Sequence, residues 1–136
     1  MKFHHIGIVV SDLKKFESKL VFNKKIKEVF DPVQQAKLAI YSNYGDSFIE
    51  LIQPENSKSF TWNYMMKNKD FGFHHLCYEI QDLNYLKIVE QEFKLIPILD
   101  PVPALLFENQ LVAFYYSRNK TIMEFLILNN ESINYI

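Results

Sequence analysis

The chain repeats itself. Residues 4–13 read HHIGIVVSDL and residues 74–83 read HHLCYEIQDL. Each copy has a His pair, an apolar run and then Asp-Leu. A second echo lies downstream, where FIELIQ at 48–53 and IMEFLI at 122–127 each set one Glu inside an apolar run. A repeat of this length calls for two like units, each too small to bury its own sheet alone.

Periodicity fills in the units. His4–Val10 reads as a strand, rich in β-branched residues. Ser11-Asp12 then offers a helix cap, with Leu13, Phe16 and Leu20 at helical spacing through about Val21. Ile26–Phe30, Ala36–Ser42 and Ser47–Gln53 read as strands, with Tyr44-Gly45-Asp46 as a turn. The stretch after Gln53 is polar around an aromatic patch, and a short helix is expected at Phe60–Lys67. The order then recurs. Phe73–Ile80 is a strand, and Asp82 caps a helix carrying Leu83, Leu86, Val89 and Phe93 on one face. Leu95–Leu99 is a short strand and Asp100-Pro101-Val102-Pro103 a loop. A hairpin joins Ala104–Phe107 to Leu111–Ser117 through Glu108-Asn109-Gln110, and Thr121–Leu128 closes the set. The tail from Asn129 is expected to be loose. The expected fold class is α+β, with two tandem βαβββ modules forming a curved mixed sheet. Module 1 spans about 3–54, a linker about 55–70 and module 2 about 71–128, within a single domain over 1–136.

Bulk properties narrow the function. The 136 residues carry a formal net charge of −1, so no basic excess is available to track a nucleic-acid backbone. No apolar run approaches the roughly 20 residues of a membrane span, and the N-terminus lacks the pattern of a signal peptide. The lone Cys77 excludes an intrachain disulfide framework. These features lead to the expectation of a cytoplasmic protein with neither nucleic-acid nor membrane partners. Aromatic residues make up 15%, so a core or pocket must hold many rings.

Strand alternation picks out four side chains. In the first strand His4, Ile6, Ile8 and Val10 form an aliphatic face suited to the helix, which leaves His5 facing the other way with Gly7 and Val9. The same count sets His75 with Cys77 and Glu79. Glu50 shares a face with Phe48 and Ile52, and Glu124 with Ile122 and Leu126. A carboxylate in such surroundings is costly to bury unpaired. A cation held by His5, Glu50, His75 and Glu124 offsets that cost in both modules at once. Imidazole with carboxylate suits one divalent ion such as Zn, Ni, Co, Mn or Fe. Four protein ligands in an octahedral shell leave two positions for water or substrate oxygens. His4 and His74 are read as structural, Cys77 as core, and Glu79 as lining a pocket mouth. Arg118 in its turn has the chemistry to hold a carboxylate or phosphate.

The paired HHIG and HHLC segments with their Asp-Leu, the Glu50-Leu51-Ile52-Gln53-Pro54 and Glu124-Phe125 strand ends, and the duplicated module order resemble the vicinal oxygen chelate superfamily. That is the glyoxalase, bleomycin-resistance and dioxygenase group. The resemblance covers about residues 3–128. Gly72-Phe73-His74-His75 and the run from Pro103-Ala104 through Val112-Ala113-Phe114 bring it nearest to methylmalonyl-CoA epimerase-like and glyoxalase I-like members. It implies a glyoxalase-like sheet around the metal, with His5, Glu50, His75 and Glu124 as ligands and no cofactor-binding residues beyond them. It implies a metal-dependent isomerase or lyase that moves a proton through a metal-stabilised enediolate, epimerase-like on an acyl thioester. The substrate would be a small molecule with vicinal oxygens, an acyl-CoA or a glutathione adduct.

Epimerases of the group carry a further Glu as base on the strand before the second ligand. An ungapped reading puts Lys37 near that position, with no carboxylate between Asp31 and Asp46. Glu124 and Lys37 are therefore the candidate catalytic groups. Three alternatives stand beside this reading: a glyoxalase I-type lactoylglutathione lyase, a non-enzymatic drug-binding resistance protein, and an extradiol-type dioxygenase. A complete ligand set argues against the second, and a fourth protein ligand argues against the third. Exposed sheet edges predict a homodimer.

Overall fold

A computed structural model describes residues 1–43 and 45–128. The expected loose tail from Asn129 lies outside the described residues, as does Tyr44 of the expected turn. Contacts divide the chain into two compact units, His5–His74 and Met1–His4 with the chain from His75 onward. The division falls between the two histidines of each pair.

The first unit holds β1 (Lys2–Val10, from His5), α1 (Leu13–Glu17), β2 (Lys25–Asp31), β3 (Ala36–Ser42), β4 (Phe48–Pro54), α2 (Trp62–Asn68) and the first residues of β5 (Phe71–Ile80). Its strand order is β2-β3-β4-β1. The β1–β4 pair is parallel and the other pairs are antiparallel. The second unit continues β5 and adds α3 (Leu83–Glu92), β6 (Ile96–Ala104), a single 3-10 turn at Leu105–Phe107, β7 (Gln110–Tyr116) and β8 (Ile122–Ile127). Its order is β6-β7-β8-β5, with β5–β8 parallel and the rest antiparallel. Each unit is thus a βαβββ module with a mixed sheet, as the repeat requires.

In each module the helix after the first strand, α1 or α3, covers one sheet face. In the first module Ile8, Val10, Leu13, Ala39, Tyr41 and Leu51 form a buried cluster, joined by Phe16 and Leu20. In the second, Ile80, Leu86, Val89, Ala113, Tyr115, Phe125 and Ile127 do the same. The opposite face of the second sheet buries Cys77, Ala104, Val112, Phe114 and Leu126. Both helix caps form as expected. The Asp12 carboxylate accepts from the Lys15 N–H at 3.1 Å and that of Asp82 from the Tyr85 N–H at 2.8 Å.

Three elements depart from expectation. The first helix stops at Glu17 rather than near Val21. The Ser18 hydroxyl bonds back to the Lys15 carbonyl at 2.7 Å, and the next amides, of Lys19 and Leu20, reach carbonyls only three residues back. Asp100–Pro103 is not a loop but part of β6, whose pairing with β7 is irregular between Pro97 and Leu99 and again between Leu99 and Val102. β6 is the outer strand of its module, where a proline withholds no needed donor. The strand expected at Ala104–Phe107 ends at Ala104 and closes into the 3-10 turn. Glu108 and Asn109 follow at φ of 56° and 62°, and the Asn109 N–H bonds the Ala104 carbonyl at 2.9 Å.

Candidate metal centre

Register, rather than sequence spacing, places the ligand candidates. In the first module Glu50 of β4 lies across from Gly7 of β1 and Ile40 of β3. In the second, Glu124 of β8 lies across from Cys77 of β5 and Phe114 of β7. Gly7 and Cys77 each follow a histidine by two residues, so His5 and His75 stand on the same faces as their glutamates. The His5 Nε2 is 3.1 Å from the Glu50 Oε1. The His75 Nε2 is 3.0 Å from the Glu124 Oε1. The two modules therefore hold two matching pairs.

All four side chains are buried, with relative exposures of 0% for His5, 3% for Glu50 and His75, and 2% for Glu124. Two donors at right angles around an ion, each roughly 2.1 Å from it, lie about 3 Å apart. Each pair fits that requirement, and the donor chemistry, imidazole with carboxylate, is that of a borderline divalent ion. The Phe114 ring meets His75 edge-on at 5.4 Å between centroids and limits how that imidazole turns.

The other histidine of each pair is packed among rings. His4 meets Phe107 edge-on at 5.3 Å. His74 sits by Tyr64 at 5.0 Å and Phe60 at 5.9 Å, and the Tyr64 hydroxyl donates to the Phe73 carbonyl. Cys77 is fully buried among apolar side chains, as a core residue would be. Glu79 lines an open cleft of about 690 Å³ with Lys2, Gln81 and Tyr85.

Lys37 is not brought to Glu50. It lies across from Gln53 and Phe30, is exposed, and shares its face with Ala39 and Tyr41 of the helix-side cluster. The β3 residues on the Glu50 face are Ala36, Leu38 and Ile40. The ungapped spacing that suggested Lys37 put it one residue out of phase, and one residue reverses the face in a strand. Two supporting residues had no sequence signal. The Gln53 side-chain oxygen accepts from the Leu13 N–H at 2.7 Å and fixes the start of α1 beside β4. Phe107 reaches His4 through a turn that the sequence reads as a strand.

Residues 4–97 match the family model for the Glyoxalase/Bleomycin resistance protein/Dioxygenase superfamily. The mitochondrial methylmalonyl-CoA epimerase of Dictyostelium discoideum is 26% identical over 121 residues, 87% of this chain and 72% of that protein. The mouse protein of the same name is 28% identical, and there the chain spans only about half of the relative, 48%. Among solved structures, a hypothetical protein from Bacillus halodurans C-125 superposes with a TM-score of 0.80 at 26% identity, covering 95% of each chain. A variant of Streptomyces coelicolor methylmalonyl-CoA epimerase in complex with 2-nitronate-propionyl-CoA gives 0.76 at 18% identity, covering 93% of this chain and 96% of that one. The fold is thus the glyoxalase-like arrangement of βαβββ modules. The chain belongs to the Glyoxalase/Bleomycin resistance protein/Dioxygenase superfamily.

Proposed function

We propose that this protein is a metal-dependent isomerase that moves a proton next to the carbonyl of an acyl-CoA thioester. His5, Glu50, His75 and Glu124 together hold one divalent cation. The observation that carries this reading is the duplicated, buried His–Glu pair at matching register in both modules. The relatives named methylmalonyl-CoA epimerase support the substrate class. When bound, the cation supplies Lewis-acid stabilisation of negative charge on the substrate oxygen.

The chain's own residues do the rest. The Glu124 carboxylate takes the carbon-bound proton and returns it. His75, steadied by Phe114, and His5 serve as neutral donors. The apolar neighbours Leu126 and Phe114 keep water from competing for the proton. Lys37, on the far face, takes no part.

One observation favours a second reading. The β3 face beside Glu50 offers Ala36, Leu38 and Ile40, so among the described residues that strand adds no carboxylate to Glu50 and Glu124 for delivering a proton to the opposite side of a carbon. A lactoylglutathione lyase-type reaction, in which one base moves a proton between neighbouring carbons, needs only Glu124.

A homodimer is part of the proposal, because β2 is the outer strand of its module and exposes Ile26 and Phe30. So is a cytoplasmic location, which suits a chain whose one cysteine is buried and in no disulfide. Among the described residues no helix is long and apolar enough to cross a membrane.

The test is incubation of the purified, metal-analysed protein with methylmalonyl-CoA in heavy water. Metal-dependent uptake of deuterium at the alpha carbon is expected. No uptake, combined with turnover of a glutathione hemithioacetal, would move the assignment to the lyase reading. Bound iron with oxygen consumption would replace both by dioxygenase chemistry.

A further inference from the structure

Glu124 occupies one face of β8, and its neighbours Met123 and Phe125 occupy the other. On that reverse face they line a cleft of about 490 Å³ with Tyr78 of β5, Val89 of α3 and Phe93 just beyond it. The volume lies within the range of small-molecule sites. The β7–β8 turn also lines it, and the turn carries Arg118.

Two features distinguish this cleft from ordinary surface relief. The first is Phe93. Helical spacing sets it on the buried face with Leu86 and Val89, which are 2% and 3% exposed, yet the residue is 52% exposed beside the cleft. The second is Arg118, the one charged side chain among the lining residues. No carboxylate lines the cleft with it, and among the described residues its guanidinium makes no ion pair. The turn that carries it is held by three hydrogen bonds. The Ser117 N–H donates to the Thr121 carbonyl and the Lys120 N–H to the Ser117 carbonyl, both at 2.9 Å. The Thr121 N–H donates to the Ser117 hydroxyl at 3.1 Å. The guanidinium is therefore presented from a fixed base.

An apolar trough with the Arg118 guanidinium at its rim, and Met1 also in its lining, complements a molecule with an apolar tail and an anionic head. We propose that this cleft is a second ligand site, one that takes an amphipathic carboxylate of medium chain length. Arg118 pairs with the carboxylate. The alkyl tail lies along Tyr78, Met123 and Phe125 and covers Phe93. The site stands apart from the metal centre, on the other face of β8, and does not depend on the reaction assigned there.

The experiment is a titration of the full chain with octanoate, followed by the NMR signal of the Met123 methyl group, in chelator-treated and in metal-loaded protein. Saturable binding with the same affinity in both preparations is expected, with movement of the Met123 signal. Arg118→Gln should weaken octanoate binding at least about tenfold, the effect of losing one charge-assisted contact. 1-Octanol, which keeps the tail and loses the charge, should bind the unaltered protein at least about tenfold more weakly than octanoate. Phe93→Ser, at an exposed position, should weaken both ligands and leave the fold intact. The proposal is overturned if octanol binds as tightly as octanoate, or if Arg118→Gln changes nothing. Octanoate binding that disappears on chelation while the Met123 signal stays still would place the carboxylate at the metal instead.

Discussion

A carboxylate at 2% exposure between Ile122 and Leu126 is a group the fold has placed at some cost, and Glu124 is the residue on which the proposed chemistry turns. Glu124→Gln keeps the shape and an oxygen donor but removes the basic oxygen. Alpha-proton exchange measured by deuterium uptake should fall by roughly 10²-fold or more, the usual contribution of a positioned base, while bound metal falls far less. Unchanged exchange would remove Glu124 from the role of base. Lys37→Ala is the companion measurement. The side chain is exposed and faces away from Glu50, so exchange should remain within about twofold of the parent and stability within about 0.5 kcal/mol. At this scale the histidines were legible because alternation along a single strand separates His5 from His4 without any knowledge of neighbours. Lys37 was not legible, because its face depends on how β3 registers against β4, and spacing between distant residues carries no register.

Both helix caps could be read from Asp12 and Asp82, since a cap is a local event that needs only the residues next to it. Asp82→Ala should cost about 1 kcal/mol by denaturant unfolding, with little effect on metal content. The length of the first helix could not be read locally. α1 is held by a contact distant in sequence: the Tyr41 hydroxyl donates to the Glu17 carboxylate, which also meets the Lys25 ammonium at 2.9 Å. The Lys25 hydrogen bond, followed by that of Tyr41, holds the Glu17 carboxyl below the usual carboxylate range. Burial, followed by the bond to Glu17, pushes the Tyr41 phenol up. Because the Glu17 value is depressed on folding, its stabilisation is complete above the unfolded value. It is lost as pH falls through the lower folded one. Glu17→Gln should therefore lower stability at neutral pH by about 1 kcal/mol, discounted for the partial exposure of the group. The difference between variant and parent should shrink to nothing as the pH is taken below the carboxylate range. A difference that persists in acid would mean that the contact acts through packing and not through charge.

Across the whole molecule the repeat was the most legible property, because duplication is written in the chain itself and each module can be read against the other. The proline-bearing strand β6 was the least legible. Pro101 and Pro103 signal a loop to a local reading, and the outer position of the strand makes them tolerable. The duplication also gives the proposed metal centre a distinctive thermodynamic signature. If one cation is shared by both His–Glu pairs, the two modules contribute to a single binding event, and removing either half removes most of it. His5→Ala and His75→Ala should then each abolish most of the rise in Tm that added metal produces, and the double variant should lose little more. Metal analysis of the parent should give one ion per chain. If instead each pair holds an ion of its own, the parent should carry two per chain, each single variant should keep about half of the metal-dependent rise, and the losses should add. Calorimetric scans of the four proteins with and without a chelator, together with the metal content of each, separate the two outcomes. The additive result would overturn the shared centre while leaving the fold and the family as they are.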